Sequence, residues 1–110
     1  MTRFVFLNAL PINALNITKP TKLVITPVKP EVLRQLADMM RPVKSYIRHP
    51  ATVSLLNRLF NLGLETSSEL YRYQRGDIIY VVTLKKPVRG AEVTDLTEND
   101  IEIYQVEVLE

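Results

Sequence analysis

Two short, continuously apolar runs, Phe4-Val5-Phe6-Leu7 and Ile78-Ile79-Tyr80-Val81-Val82, constrain the fold of this chain more than any other feature. A strand with one wet face alternates apolar and polar residues, whereas a short run without alternation belongs in a sheet covered on both sides. Between the two runs the apolar spacing turns helical twice. From Pro30, the residues Leu33, Leu36, Ala37 and Met40 share one face until Pro42 ends the pattern. Over residues 50–61, Thr52, Leu55, Leu56, Leu59 and Phe60 form a second stripe, with Ser54, Asn57, Arg58 and Asn61 on the other side and Gly63 as the expected stop.

Three more segments read as strands. Residues 22–26 form one, closed by Pro27. Residues 70–74 form another, joined to the strand at 78–84 through Arg75-Gly76-Asp77, a triplet that resembles a cell-adhesion motif but reads here as a hairpin turn. The last covers residues 101–109, where the apolar phase shifts at Ile103-Tyr104, implying a bulge or burial on both faces. Residues 43–49 read as a connector. The expected architecture is an α/β or α+β single domain over residues 1–110, with a mixed five-stranded sheet flanked by helices in the order β-β-α-α-β-β-β. At 110 residues a chain can build one core without disulfides or a structural metal.

Composition removes most chemistries. The chain has no cysteine, which excludes disulfides, zinc fingers, iron–sulfur clusters and thiol catalysis, and fits the cytoplasm. Asn8 and Pro11 interrupt the N-terminal apolar run too early for a signal peptide, and no stretch approaches a membrane span. With three glycines there is neither a P-loop nor a dinucleotide fingerprint, and no Gly-x-Ser-x-Gly is present. One histidine and acids concentrated near the end leave no metal-ligand cluster, so neither a metal nor another cofactor is expected.

Charge is uneven. All 14 Lys and Arg residues precede residue 91, against five acids there, while the other seven of the 12 acids fall in residues 91–110. The body is basic enough to attract an anion, although a solvated surface with an acidic last strand accounts for the counts equally well.

The single histidine stands in Arg48-His49-Pro50-Ala51-Thr52. Proline is favoured at the first helical position, which makes His49 the expected N-cap, a place where Ser, Thr, Asp or Asn would serve the free N–H groups better. The helix start and Arg48 together favour an anion, most simply a phosphate. One imidazole in a basic site suffices for cleavage of RNA by its own 2′-hydroxyl, because the protein need only align the phosphodiester, neutralise charge and protonate the departing 5′-oxygen. A histidine beside a proline is also compatible with an incidental loop residue. Tyr71, Tyr73 and Tyr80 read as packing rather than base-stacking platforms, and Asn8 and Asn13 as turn formers.

Two segments carry a family resemblance. Residues 6–15, Phe-Leu-Asn-Ala-Leu-Pro-Ile-Asn-Ala-Leu, resemble the first strand and loop of the viral anti-CRISPR ring nucleases, small proteins of archaeal viruses with relatives in phages and type III CRISPR loci. More specifically, residues 49–57 are similar to that family's His, two residues, Thr, apolar stripe and Asn. The resemblance implies a cytoplasmic homodimer that binds cyclic tetra-adenylate across its interface and cleaves it to linear adenylates without metal, countering type III CRISPR signalling. It implies His49 as general acid, Asn8 and Asn13 lining the cleft, and Thr52 supporting the phosphate end of the helix. Arg48 joins this set by its charge and place. A segment after the penultimate strand would act as a lid, with Lys86, Arg89 and Glu92 as its candidate functional residues. The chain departs from the family with Arg48-His49-Pro50 where Gly-His-Asp or Gly-His-Gln is common, with Pro11 for a serine, and with Lys-Pro-Val-Arg-Gly over residues 86–90 for the usual lid pattern. Neither DNA nor a membrane is an expected partner. The alternatives are a module that binds cyclic nucleotide or RNA without cleaving it, and a viral structural or host-interaction protein.

Overall fold

In the computed structural model, residues 3–40, 42–85 and 96–109 are described. One mixed sheet holds five strands: β1 (Phe4–Leu7), β2 (Lys22–Val28), β3 (Val43–Ser45), β4 (Ile78–Leu84) and β5 (Ile101–Leu109), in the spatial order β2-β5-β4-β1-β3. Helix α1 spans Pro30–Leu36 and continues into a 3-10 turn at Ala37–Met40, and α2 spans Pro50–Phe60. β1 lies parallel to both β3 and β4, and β5 runs antiparallel to β4 and β2. Four strands therefore point one way and only β5 opposes them.

The two apolar runs are interior strands, as their lack of alternation requires. Phe6 and Tyr80 sit side by side on one face with rings stacked 5.2 Å apart, while Val5, Leu7, Ile79 and Val81 fill the other. Both helices cover the first face: Leu33, Ala37 and Met40, and Val53, Leu55, Leu56 and Phe60, close over Phe6, Tyr80, Val82, Ile101 and Ile103. The second face is covered by loop chain rather than helix. Ala14 and Leu15 from a 3-10 turn at Ile12–Leu15, and Tyr71 from the irregular segment before β4, pack on Val5, Leu7, Ile79 and Val106.

The class and the five strands agree with the sequence, but the order along the chain is β-β-α-β-α-β-β. The connector at 43–49 contains β3, and residues 70–74 have no regular secondary structure and stay out of the sheet. Three residues, Val43-Lys44-Ser45, are too few for any periodicity to register, yet β1 supplies them with a parallel partner. Residues 70–74 alternate like a strand because they lie flat on the sheet's second face, with Tyr71 buried and the Tyr73 N–H donating to the Ala14 carbonyl at 2.8 Å. Arg75-Gly76 accordingly makes a turn, closed by Asp77 N–H on the Gln74 carbonyl at 3.0 Å, and not a hairpin. β2 runs through Pro27 to Val28, which its edge position allows. β5 keeps continuous register with both neighbours, so its phase shift reflects burial on both faces: Ile103 faces the helices and Val106 the loops. Asn61, in the left-handed conformation (φ 54°), terminates α2 two residues before Gly63.

Candidate functional site

Because β1, β3 and β4 are parallel, the chain leaves the sheet at one common edge after each of them. Asn8 follows β1, residues 46–49 lead from β3 into α2, and Lys85 follows β4. In open α/β sheets this carboxyl edge is where ligands bind, because loops diverge there and helix N-termini face it. A cleft of about 220 Å³ lies at this edge, lined by Asn8, Thr52, Leu55, Leu56, Val82, Thr83 and Leu84. It has an apolar floor and three polar side chains, the proportion of a small-molecule site.

His49 is the N-cap of α2, in extended conformation (φ −81°, ψ 112°), with Pro50 at the first helical position. Its imidazole is exposed and makes no cap bond to the helix N–H groups. Arg48, also exposed, extends to the Ser68 carbonyl at 3.5 Å. The structure brings Asn8, after β1, and Thr52, in the first turn of α2, into one cleft, whereas His49 and Arg48 stand outside its lining. Asn13 is elsewhere, in the 3-10 turn after β1, lining a smaller cleft with Pro11, Ala14, Leu70, Tyr71 and Arg72. Lys86, Arg89 and Glu92 lie outside the described residues. Thr83 is a lining residue that sequence reasoning missed. It sits within a strand pattern that gave no reason to separate it from its neighbours.

Asn57 has a different task from the residues around the cleft. Its amide nitrogen donates to the Leu64 carbonyl at 2.9 Å and its amide oxygen accepts from the Leu64 N–H at 2.7 Å. That two-point clasp folds residues 61–64 back against α2 and seats Leu62 and Leu64 in the core.

The opposite edge holds the most buried charge among the described residues. Arg3 precedes β1 and Asp77 precedes β4, and the register pairing Phe4 with Ile78 sets them side by side. Arg3 donates to the two Asp77 carboxylate oxygens at 2.9 and 2.7 Å; the Tyr71 hydroxyl donates at 2.6 Å and the Gln74 N–H at 3.0 Å. Burial alone would raise the Asp77 carboxyl, but Arg3, Tyr71 and Gln74 together hold it below the ordinary carboxylate range. Burial and the bond to Asp77 push the Tyr71 hydroxyl above its usual value. Arg3 also donates to the Tyr46 hydroxyl at 3.1 Å, and Tyr46 packs edge-on against Tyr71 at 5.1 Å. Every acceptor here is matched, as expected of a structural network.

A family model, STIV B116-like, matches residues 8–108, a span that takes in four of the five strands and both helices. The chain belongs to the STIV B116-like family. Among solved structures it is similar to B116 of Sulfolobus turreted icosahedral virus, with a TM-score of 0.75 and 21% identity over 94% of this chain and 97% of that one. The likeness to B116 is one of fold, and the family's viral namesake fits the small viral protein expected from the sequence. No curated protein matches the chain significantly. Among the described residues, no helix is long and apolar enough to cross a membrane.

Proposed function

We propose that this member of the STIV B116-like family is a metal-independent ring nuclease. As a cytoplasmic homodimer it binds cyclic tetra-adenylate and opens it to linear adenylates, antagonising type III CRISPR signalling. The observation that carries the reading is the meeting of Asn8, Thr52 and the start of α2 at the sheet's carboxyl edge, with the His49 imidazole exposed and bonded to no helix N–H. The helix start and Arg48 favour a phosphate at that place. A 2′-hydroxyl of the ring attacks its neighbouring phosphorus and the bond to the 5′-oxygen breaks. His49 gives the departing oxygen its proton, and the 2′-hydroxyl proton passes to solvent. Thr52 and Asn8 orient the ligand at the cleft, and a dimer supplies the second imidazole that one chain lacks.

The test is cleavage of cyclic tetra-adenylate by the purified protein in EDTA. His49→Ala is expected to slow turnover by about 10²–10⁴-fold, the usual contribution of a general acid, with binding retained. No cleavage of any cyclic oligoadenylate would defeat the enzymatic claim. One observation favours a second reading, binding without cleavage: no side chain among the described residues orients the His49 imidazole by a hydrogen bond. Calorimetry with the ligand recovered intact would select it.

A further inference from the structure

Among the described residues, two polar side chains are buried, Asp77 and Ser45. Asp77 belongs to the network it shares with Arg3 and Tyr71. Ser45 ends β3 at the sheet's carboxyl edge, between Val43 and Ile47, which both pack on the helix side, so an apolar residue would suit its place in the alternation. Its hydroxyl instead accepts from the Ile47 N–H at 3.2 Å. The pairing with β1 gives out here: the Tyr46 N–H still donates to the Phe6 carbonyl at 3.0 Å, and Ile47, fully buried, lies beyond the sheet. A buried N–H outside the ladder needs a partner of its own. A serine hydroxyl that bonds the backbone two residues on mimics a turn, and in this place it bends the chain from β3 toward α2. The Ile47 carbonyl is held too, by the Ser67 N–H at 3.0 Å. His49 therefore hangs between two anchored points, Ile47 behind it and the first turn of α2 ahead, where its carbonyl accepts from the Val53 N–H at 3.2 Å.

We propose that Ser45 is a positioning residue for ring cleavage: through Ile47 it sets the backbone from which the His49 imidazole reaches the departing 5′-oxygen. The inference rests on the ring-nuclease reading, in which His49 gives that oxygen its proton. An imidazole that makes no cap bond takes its place from the backbone, and a misplacement of about 1 Å can cost on the order of 10²-fold in rate. Ser45 does not line the Asn8–Thr52 cleft, so its effect on the reaction runs through His49.

The test measures kcat and KM for cyclic tetra-adenylate in EDTA, together with the ring-proton resonances of His49, which are unambiguous because the chain has one histidine. Ser45→Ala is expected to lower kcat about 10-fold or more with KM within about 2-fold, and to move the His49 resonances. Ser45→Thr keeps the hydroxyl and should restore both. Asn57→Ala, which loosens the far end of α2, is the control for a merely structural loss and should leave kcat per folded molecule and the His49 resonances as in the parent. If Ser45→Ala does not fold, Ser45→Cys, whose sulfur accepts only weakly, carries the same expectations. Parental kcat in the alanine or cysteine variant, a fall in kcat without movement at His49, a threonine variant as slow as alanine, or an equal effect in Asn57→Ala overturns the inference and leaves the ring-nuclease reading standing. If the parent cleaves no cyclic oligoadenylate, the functional reading fails, and the resonances alone decide the anchor. Movement in Ser45→Ala that Ser45→Thr reverses then supports it, and unmoved resonances overturn it.

Discussion

The two edges of the sheet treat polar side chains in opposite ways. At the amino edge, Arg3, Asp77, Tyr71, Tyr46 and the Gln74 N–H satisfy one another, and Asp77 is 4% exposed. At the carboxyl edge, Asn8, Thr52 and His49 make no hydrogen bond through their side chains among the described residues. Buried charge is tolerated only when fully partnered, whereas groups kept for a ligand must stay unpartnered until it arrives. The same parallel strands create both edges, so the contrast comes from side-chain choice and not from topology. One edge stabilises the fold and the other is available for chemistry.

The sharpest break of that comparison is at Asp77. Removing its carboxylate with Asp77→Ala takes the acceptor from Tyr71 and leaves Arg3 with only the Tyr46 hydroxyl and the Arg72 carbonyl, and the expected cost is about 3–5 kcal/mol in denaturant unfolding. The sign with pH follows from the depressed carboxyl. A group whose folded pKa lies below its unfolded value contributes stability above about pH 4, and that contribution is lost as pH falls through the folded value. The parent should therefore lose stability on acidification, and Asp77→Asn should flatten that acid limb. A limb unchanged in Asp77→Asn would show that other carboxylates carry it. Turnover at saturating ligand, if His49 acts at the other edge, should change little in the fraction that remains folded.

How much of this was legible depends on the kind of signal each region carries. The runs at Phe4–Leu7 and Ile78–Leu84 announced interior strands because burial on both faces writes itself into every residue. His49 was legible as a cap because Pro50 fixes the helix start. β3 was not legible, since three residues carry no period, and residues 70–74 misled because lying on a sheet imposes the same alternation as belonging to it. The Arg3–Asp77 pairing joins residues 74 apart in sequence through strand register, which nothing local encodes. Asn57 stood out in the sequence as part of a helix signature. Only the return of the chain at Leu64 revealed it as a clasp.

That clasp gives the next smaller prediction. Asn57→Ala removes both bonds to Leu64 and leaves a half-buried N–H and carbonyl without partners, at an expected cost of about 2 kcal/mol. Asn57→Asp keeps an acceptor for the Leu64 N–H but sets an anionic oxygen against the Leu64 carbonyl, so its loss should be at least as large. Because Asn57 lies two turns beyond the start of α2, thermal unfolding should shift while ligand affinity holds. A fall in affinity without a fall in stability would move Asn57 to the ligand side of the comparison.

The smallest effect separates the two edges most directly, because it should run in opposite directions for fold and function. α2 is well closed at its C-terminus, where Asn61 is left-handed and its N–H bonds to the Asn57 carbonyl at 2.9 Å. Its N-terminus is bare: Pro50 has no N–H, and the His49 side chain caps neither of the next two. A serine oxygen in place of the imidazole can accept from the Ala51 or Thr52 N–H, as preferred caps do. His49→Ser is therefore expected to stabilise the protein by about 0.5–1 kcal/mol while abolishing most ring cleavage. Both readouts come from one purified variant, by denaturant melts and by the EDTA cleavage assay. A loss of stability would mean that the imidazole supports the fold after all, and the contrast between the edges would then fail at its central residue.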